Sequence, residues 1–167
     1  LAQSLLAENY QAMKIWPFDI YAPASGGQLL TLAQLDKGLE PFHKIRQAVG
    51  NQMEIMCELH GLFGLPSATR LCQALEELHV SWVEDPLGKM DDVAALTSLR
   101  QSTRVPICGS ESLAGVRVYR DLLAAGVLDV VMLDLAWCGG FTEGRKIAAL
   151  AQAYNRPIAP HDCTGPI

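Results

Sequence analysis

Three glutamates recur along the chain at nearly equal intervals, each close behind a short apolar run. Glu84 follows Glu58 by 26 residues, and Glu111 follows Glu84 by 27. Carboxylates that converge in one pocket repel each other unless protons or a cation neutralise them, and an all-oxygen ligand set suits Mg²⁺. The alternative is that each acid caps a following helix, where the helix dipole favours negative charge. The common spacing favours a shared metal site.

Asp134 and His161 stand 27 residues apart, behind two further apolar runs. A carboxylate that holds one imidazole nitrogen orients the ring and leaves the other nitrogen to move a proton. Each residue also has an ordinary interpretation, Asp134 as a helix cap and His161 as a loop residue. Their placement at the ends of neighbouring strands, beside a metal site, favours an acid–base pair.

Three further candidates depend on the same strand ends. Glu58 and His60 are two residues apart, so on a strand their side chains share one face. Lys14 and Trp16 share a face by the same argument. A lysine inside the apolar run AMKIW must reach solvent or meet an anion, and a substrate carboxylate or the glutamates would serve.

Alternating strands and helices are needed to position these residues. Short apolar runs predict strands at 12–16, 54–57, 80–83, 105–108, 128–133 and 157–159. Longer stretches with apolar residues at helical spacing predict helices at 29–49, 67–79, 91–101, 113–125 and 142–154. This alternation indicates βα units around a parallel sheet, which is the α/β class.

The positions of the polar residues distinguish between two parallel architectures. In a doubly wound open sheet, ligand groups gather near one switch point. In a barrel, the ends of successive strands surround one pocket. Because an ionisable residue follows each of the six predicted strands, we expect a (β/α)8 TIM-type barrel, present here as an incomplete barrel of about six βα units.

Composition narrows the class of protein. The 167 residues are enough for one domain, and the 50% hydrophobic content argues against intrinsic disorder. The net charge of −5 argues against nucleic-acid binding, and without an apolar run of about 18 residues we expect no membrane span. Five cysteines with no CxxC pair predict neither a disulfide framework nor a zinc site, and favour a reducing, cytoplasmic setting.

Six segments together resemble the mandelate racemase/muconate lactonizing enzyme-like branch of the enolase superfamily, and within it the acid-sugar dehydratases of the galactonate type. The segments are AMKIW at 12–16, CELHG at 57–61, WVEDP at 82–86, GSES at 109–112, LDLAWCGG at 133–140 and APHDCTGP at 159–166. They occur in the family's order, at family-like spacing, over essentially the whole chain.

The resemblance implies a reaction and a set of residue roles. A Mg²⁺-dependent lyase would abstract the proton α to the carboxylate of a sugar acid, form an enediolate, and lose the 3-hydroxyl as water. The product would be a 2-keto-3-deoxy sugar acid. The implied metal ligands are Glu58, Glu84 and Glu111; the implied catalytic residues are His161 as the base, Asp134, His60 as the acid, and Lys14; the implied substrate-binding residues are Trp16, His60 and His161.

Two departures bear on this interpretation. The first metal ligand is more often Asp in the family, and Glu58 is one methylene longer. Trp16 stands where racemases place their second lysine, which favours dehydration over racemisation. A racemase or epimerase of a 2-hydroxy acid is the alternative in the same superfamily, and a non-catalytic barrel protein is the alternative of another class.

The resemblance also bears on domain organisation. Residues 1–167 correspond to part of the C-terminal barrel domain, from its second to its seventh strand, and an N-terminal α+β capping domain and the last strand are expected to be absent from this chain. We therefore expect residues 1–167 alone to be poorly soluble or inactive, because an opened barrel leaves two unpaired edges. Family members are usually homo-oligomers, so we expect one here.

Overall fold

The structure is a computed structural model that describes residues 1–161. Cys163 and the rest of the APHDCTGP segment beyond His161 lie outside the described residues. Six parallel strands pair in chain order to form one sheet that curls into part of a TIM barrel. The strands are β1 (Ala12–Ile15), β2 (Glu54–Glu58), β3 (Trp82–Glu84), β4 (Ile107–Gly109), β5 (Val130–Asp134) and β6 (Ile158–His161).

The number, order and direction of the predicted strands are confirmed, and the strand bounds differ slightly. β3 and β4 are only three residues long. Val80 and Val105, which the prediction placed at the strand starts, are buried two residues before the observed strands. The register sets Glu58 opposite Glu84 and Asp134 opposite His161. Parallel pairing therefore brings residues distant in the sequence to one edge of the sheet.

Six helices accompany the strands, of which five were predicted and the first was not. They are α1 (Ala2–Ala7), α2 (Leu32–Val49), α3 (Leu65–Glu76), α4 (Val93–Ser102), α5 (Val116–Ala124) and α6 (Gly140–Ala153). The prediction started α2 at residue 29, but Thr31 and Gln34 form a capping box that starts the helix at Leu32. None of the helices within residues 1–161 has both the length and the apolar character that a bilayer crossing requires.

Two apolar layers hold the sheet. The larger layer lies between the sheet and the helices, and includes Leu71 and Leu75 of α3. On the inner face of the sheet, Cys108, Val130 and Met132 form a small apolar floor. The polar residues at the strand ends lie beyond this floor, where side chains of neighbouring strands can meet.

The loop after β1 is anchored by one aromatic side chain. Phe18 is fully buried and stacks on Phe42 of α2, with ring centroids 6.3 Å apart. A Cβ atom on Gly38 of α2 would lie 2.1 Å from a ring carbon of Phe18. The absence of a side chain at Gly38 therefore admits Phe18, and Phe18 fixes the short 3₁₀ turn Asp19–Tyr21 that follows it.

Substitution of Gly38 by alanine is expected to destabilise the protein despite alanine's better helix propensity. Overpacking costs about 1–3 kcal/mol, and the propensity gain offsets about 1 kcal/mol of that. We expect the free energy of unfolding to fall by up to about 2 kcal/mol, measured by chemical denaturation followed by tryptophan fluorescence. The exposed neighbour Lys37 offers a control, Lys37→Ala, which should change stability little; a more stable Gly38→Ala protein would contradict the packing argument.

Candidate active site

The three predicted metal ligands converge at the carboxyl ends of β2, β3 and β4. One carboxylate oxygen from each of Glu58, Glu84 and Glu111 lies within 4.8 Å of the other two. Glu58 and Glu84 are almost fully buried, at 1% and 0% exposure. Ligand oxygens around Mg²⁺ at about 2.1 Å are spread over roughly 3–4 Å. The donor set and its spacing therefore fit a hard divalent cation after small side-chain movements.

Glu58 divides its two oxygens between the backbone and the pocket. Oε1 accepts hydrogen bonds from the N–H groups of Leu59 and His60, at 3.0 and 2.7 Å. Oε2 accepts one from Lys14 Nζ at 3.0 Å. Glu58 does not cap the following helix, because α3 begins at Leu65 with no side-chain cap. One oxygen instead stabilises the turn after β2, while the other faces the glutamate cluster.

Lys14 is the cation that the structure places among these carboxylates. Its Nζ bridges Glu58 and Glu84, and Trp82 Nε1 donates to Glu84 Oε2 at 3.2 Å. Burial would lower the pKa of Lys14, but the hydrogen bonds and charges of the two glutamates outweigh it and raise the pKa. Lys14 therefore supplies one positive charge beside three carboxylates, which is too little to neutralise them.

The pKa values of Glu58 and Glu84 reflect the shortage of positive charge in the site. Burial, together with the neighbouring Glu58, raises the pKa of Glu84 to about 8. Burial also acts to raise the pKa of Glu58, but hydrogen bonds from Glu84, the His60 N–H and Lys14 lower it overall. The raised pKa of Glu84 favours one proton shared between the two glutamates, and a divalent cation bound at the cluster would displace it.

Asp134 and His161 form the predicted pair. His161 Nδ1 lies 2.9 Å from Asp134 Oδ2, and Asp134 Oδ1 accepts the N–H groups of Ala136 and Trp137 at 2.7 and 3.1 Å. Burial acts to raise the pKa of Asp134, but the His161 contact and these N–H groups lower it. His161 Nε2 lies 2.9 Å from Glu111 Oε2, so the second ring nitrogen faces the glutamate cluster.

The argument that placed His60 on the same face as Glu58 is wrong, because β2 ends at Glu58. His60 lies in the following turn with a φ of +49°, so the two-residue period of a strand does not apply. Its backbone N–H still meets Glu58. Its ring lies against Trp16, with centroids 6.0 Å apart and nearly perpendicular planes.

Sequence reasoning missed two neighbours of the histidines. Asp19 Oδ2 lies 2.7 Å from His60 Nδ1; burial raises the pKa of Asp19, while His60 counteracts that rise. The Trp137 ring lies 5.5 Å from the His161 ring, centroid to centroid. Trp137 follows Asp134 by three residues, which was a usable signal, whereas Asp19 sits in a loop whose path depends on the packing of Phe18.

The chain matches one family over its full length. The family model described as "Enolase C-terminal domain-like" covers residues 1–167. The chain belongs to the enolase superfamily. The expected fold and the expected resemblance to its mandelate racemase-like branch are both confirmed.

Named members of this superfamily are similar to the chain. A D-galactonate dehydratase from Xanthomonas euvesicatoria pv. vesicatoria is 34% identical over 133 residues, covering 80% of this chain and 35% of that protein. A D-xylonate dehydratase from Haloferax volcanii is 34% identical over 165 residues, covering 95% of this chain and 39% of that protein. The chain therefore spans little more than a third of the length of these curated relatives.

A solved structure carries the same fold. The crystal structure of an enolase of the mandelate racemase subgroup from Agrobacterium tumefaciens has a TM-score of 0.95 and 47% sequence identity with this enolase-superfamily chain. The match covers 99% of this chain and 45% of that one.

The eight residues selected from the sequence form one contiguous cluster in this enolase-superfamily chain. Contacts join Lys14, Glu58 and Glu84, and a second set joins Glu111, His161 and Asp134. The three glutamates connect the two sets. His60 and Trp16 attach through the His60 N–H to Glu58. The roles of these residues remain predictions that the following experiments test.

Removal of one glutamate charge is expected to abolish most Mg²⁺ binding. Glu84→Gln should raise the Kd for Mg²⁺ at least about tenfold, because the neutral amide is a poor ligand for a hard cation. Isothermal titration calorimetry of the full-length protein measures this. The exposed Glu40 offers the matched control Glu40→Gln, and equal loss in both variants would contradict the assignment.

Mg²⁺ binding is also expected to release a proton below pH 8. The metal-free Glu84 has a pKa of about 8, raised from its ordinary value of 4.5, so between these values the cation must displace a proton. The affinity should therefore rise with pH across this window and level off above it. Calorimetry at pH 7 in two buffers of different ionisation enthalpy counts the proton, and equal heats in both buffers would refute this prediction.

Proposed function

We propose that the protein is a Mg²⁺-dependent acid-sugar dehydratase, a carbon–oxygen hydro-lyase that converts a sugar acid into a 2-keto-3-deoxy sugar acid. The observation that carries this proposal is the direction of His161 Nε2, which lies against Glu111 of the glutamate cluster while Asp134 holds Nδ1. Such an arrangement suits abstraction of a proton next to a carboxylate bound at the cluster. The dehydratase names of the relatives support the same reaction class.

Under this proposal, His161 Nε2 takes the proton from the carbon next to the carboxylate. Asp134 accepts the Nδ1–H of the resulting imidazolium and stays ionised. The electron pair of the broken C–H bond moves toward the carboxylate to give an enediolate, and the collapse of the enediolate forms a C2–C3 double bond as the C3–O bond breaks. His60 gives its proton to the departing hydroxyl, which leaves as water. The enol then becomes the ketone, as C3 gains a proton and the C2 hydroxyl loses one to solvent.

The positive charges complete the proposed site. A bound divalent cation would stabilise the negative charge that develops on the substrate carboxylate. Lys14, which pairs with Glu58 and Glu84 in the absence of a metal, would turn toward the same carboxylate. Trp16 is 55% exposed beside His60 and would cover one side of the substrate.

The proposal extends to the whole protein. Because the chain spans 35% and 39% of the two relatives, we take residues 1–167 as the partial C-terminal barrel domain of a longer enzyme. We further take that enzyme to be homo-oligomeric and cytoplasmic. Assays therefore use the full-length protein. The choice of sugar acid is left to a substrate panel.

Dehydration is expected with Mg²⁺ and at least one member of a panel of aldonic and uronic sugar acids. Semicarbazide detects the 2-keto-3-deoxy product, which should disappear with EDTA. His161→Ala should lower kcat by about 10²–10⁴-fold, because the base is lost. The control is His43→Ala, on the exposed face of α2.

Two other outcomes would change the proposal. Exchange of the α-proton for deuterium without water loss would favour the racemase or epimerase alternative. Mg²⁺ binding with neither exchange nor product across the panel would count against the dehydratase and favour a barrel protein without this activity.

A further inference from the structure

We infer that Asp19 is a positioning residue that holds His60 for proton donation, so that the site contains two histidine–aspartate pairs. This inference rests on the proposed function, since proton donation to a leaving hydroxyl belongs to the dehydratase reaction. Asp19 itself touches neither the glutamates nor the reacting atoms under this proposal. It would act through the imidazole of His60.

The two pairs are built alike. His60 Nδ1 lies 2.7 Å from Asp19 Oδ2, and His161 Nδ1 lies 2.9 Å from Asp134 Oδ2. Each imidazole also has an indole beside it, that of Trp16 or of Trp137. In both pairs the carboxylate takes Nδ1 and leaves Nε2 for the substrate.

The backbone of His60 is fixed independently of its ring. The turn that carries it has a positive φ, and its N–H donates to Glu58 Oε1 at 2.7 Å. The remaining freedom is rotation of the side chain. Asp19 and Trp16 both lie against the ring and limit that rotation. A proton donor needs this restriction in order to face one substrate oxygen.

Asp19 is held more firmly than a typical surface acid. It follows Phe18, which is fully buried against Phe42, and it begins a 3₁₀ turn. Its side chain is 25% exposed, and Oδ1 is buried without a hydrogen-bond partner within residues 1–161. Burying a carboxylate oxygen without a partner is unfavourable, so the contact from Oδ2 to His60 is the polar contact that offsets its burial.

In the proposed step His60 transfers one proton and Asp19 transfers none. A His60 imidazolium gives the Nε2 proton to the departing hydroxyl and becomes the neutral ring with its hydrogen on Nδ1. That hydrogen points to Asp19, which stays ionised throughout. An asparagine at position 19 offers no negative charge for Nδ1–H and permits the other tautomer and ring orientation.

The first test separates proton abstraction from water loss in the full-length protein with Mg²⁺. We expect Asp19→Asn to lower kcat for dehydration by about 10²-fold, while exchange of the substrate α-proton in D₂O changes less than about threefold, since His161 is intact. Asp19→Glu should recover part of the rate. Asp36→Asn, at an exposed position of α2, is the matched control and should leave both rates unchanged.

A leaving group that needs no proton sharpens the test. In a 3-deoxy-3-fluoro analogue of the substrate, fluoride departs as the anion, so His60 and Asp19 become dispensable. We expect wild type and Asp19→Asn to release fluoride at similar rates. Equal losses of dehydration, exchange and fluoride release would instead indicate general structural damage and overturn the inference, as would dehydration at the wild-type rate.

A second readout does not depend on turnover. In protein labelled with ¹⁵N-histidine, the neutral His60 ring, assigned by its loss in His60→Gln, should carry its hydrogen on Nδ1 in the wild type and populate both tautomers in Asp19→Asn. Wild-type protein that neither exchanges nor dehydrates any acid would end the proposed function. The ring spectrum would still decide whether Asp19 positions His60, and an unchanged tautomer would overturn that placement.

Discussion

The proximity of three carboxylates is the constraint on which the site depends. Parallel pairing sets Glu58 opposite Glu84, and the curl of the sheet brings Glu111 within 4.8 Å of both. Buried negative charges stay so close only with compensating positive charge. Lys14 supplies part of it, and the pKa of Glu84, which burial and Glu58 raise to about 8, indicates that more is needed. The glutamate cluster is therefore suited to a divalent cation.

Two acids of the site, Glu58 and Asp134, are held by the backbone in the same way. Glu58 and Asp134 each give one oxygen to two backbone N–H groups in the turn that follows. Each presents its other oxygen to a side chain of the site, Lys14 or His161. The orientation of these carboxylates is therefore set by the fold rather than by a ligand, which is the preorganisation that electrostatic catalysis requires.

Sequence reasoning succeeded where the geometry follows from regular pairing. The ends of parallel strands meet at one edge of the sheet, so sequence spacing alone was enough to predict that Glu84 neighbours Glu58 and that His161 neighbours Asp134. It failed for His60, because that residue lies two positions beyond the end of β2, in a turn where the alternation of strand faces no longer applies. Asp19 was beyond reach, since its position depends on Phe18 entering the space that Gly38 leaves on a distant helix.

The pairing of strands in chain order links the site to the timing of synthesis. A nascent chain completes its three glutamates once β4 and Glu111 have emerged. His161 lies 50 residues further on, which takes about 2.5–10 s to translate at about 5–20 residues per second. During that interval the growing polypeptide carries the three glutamates with no histidine–aspartate pair beside Glu111. The cluster proposed to bind the cation is therefore made before the pair proposed to take the first proton.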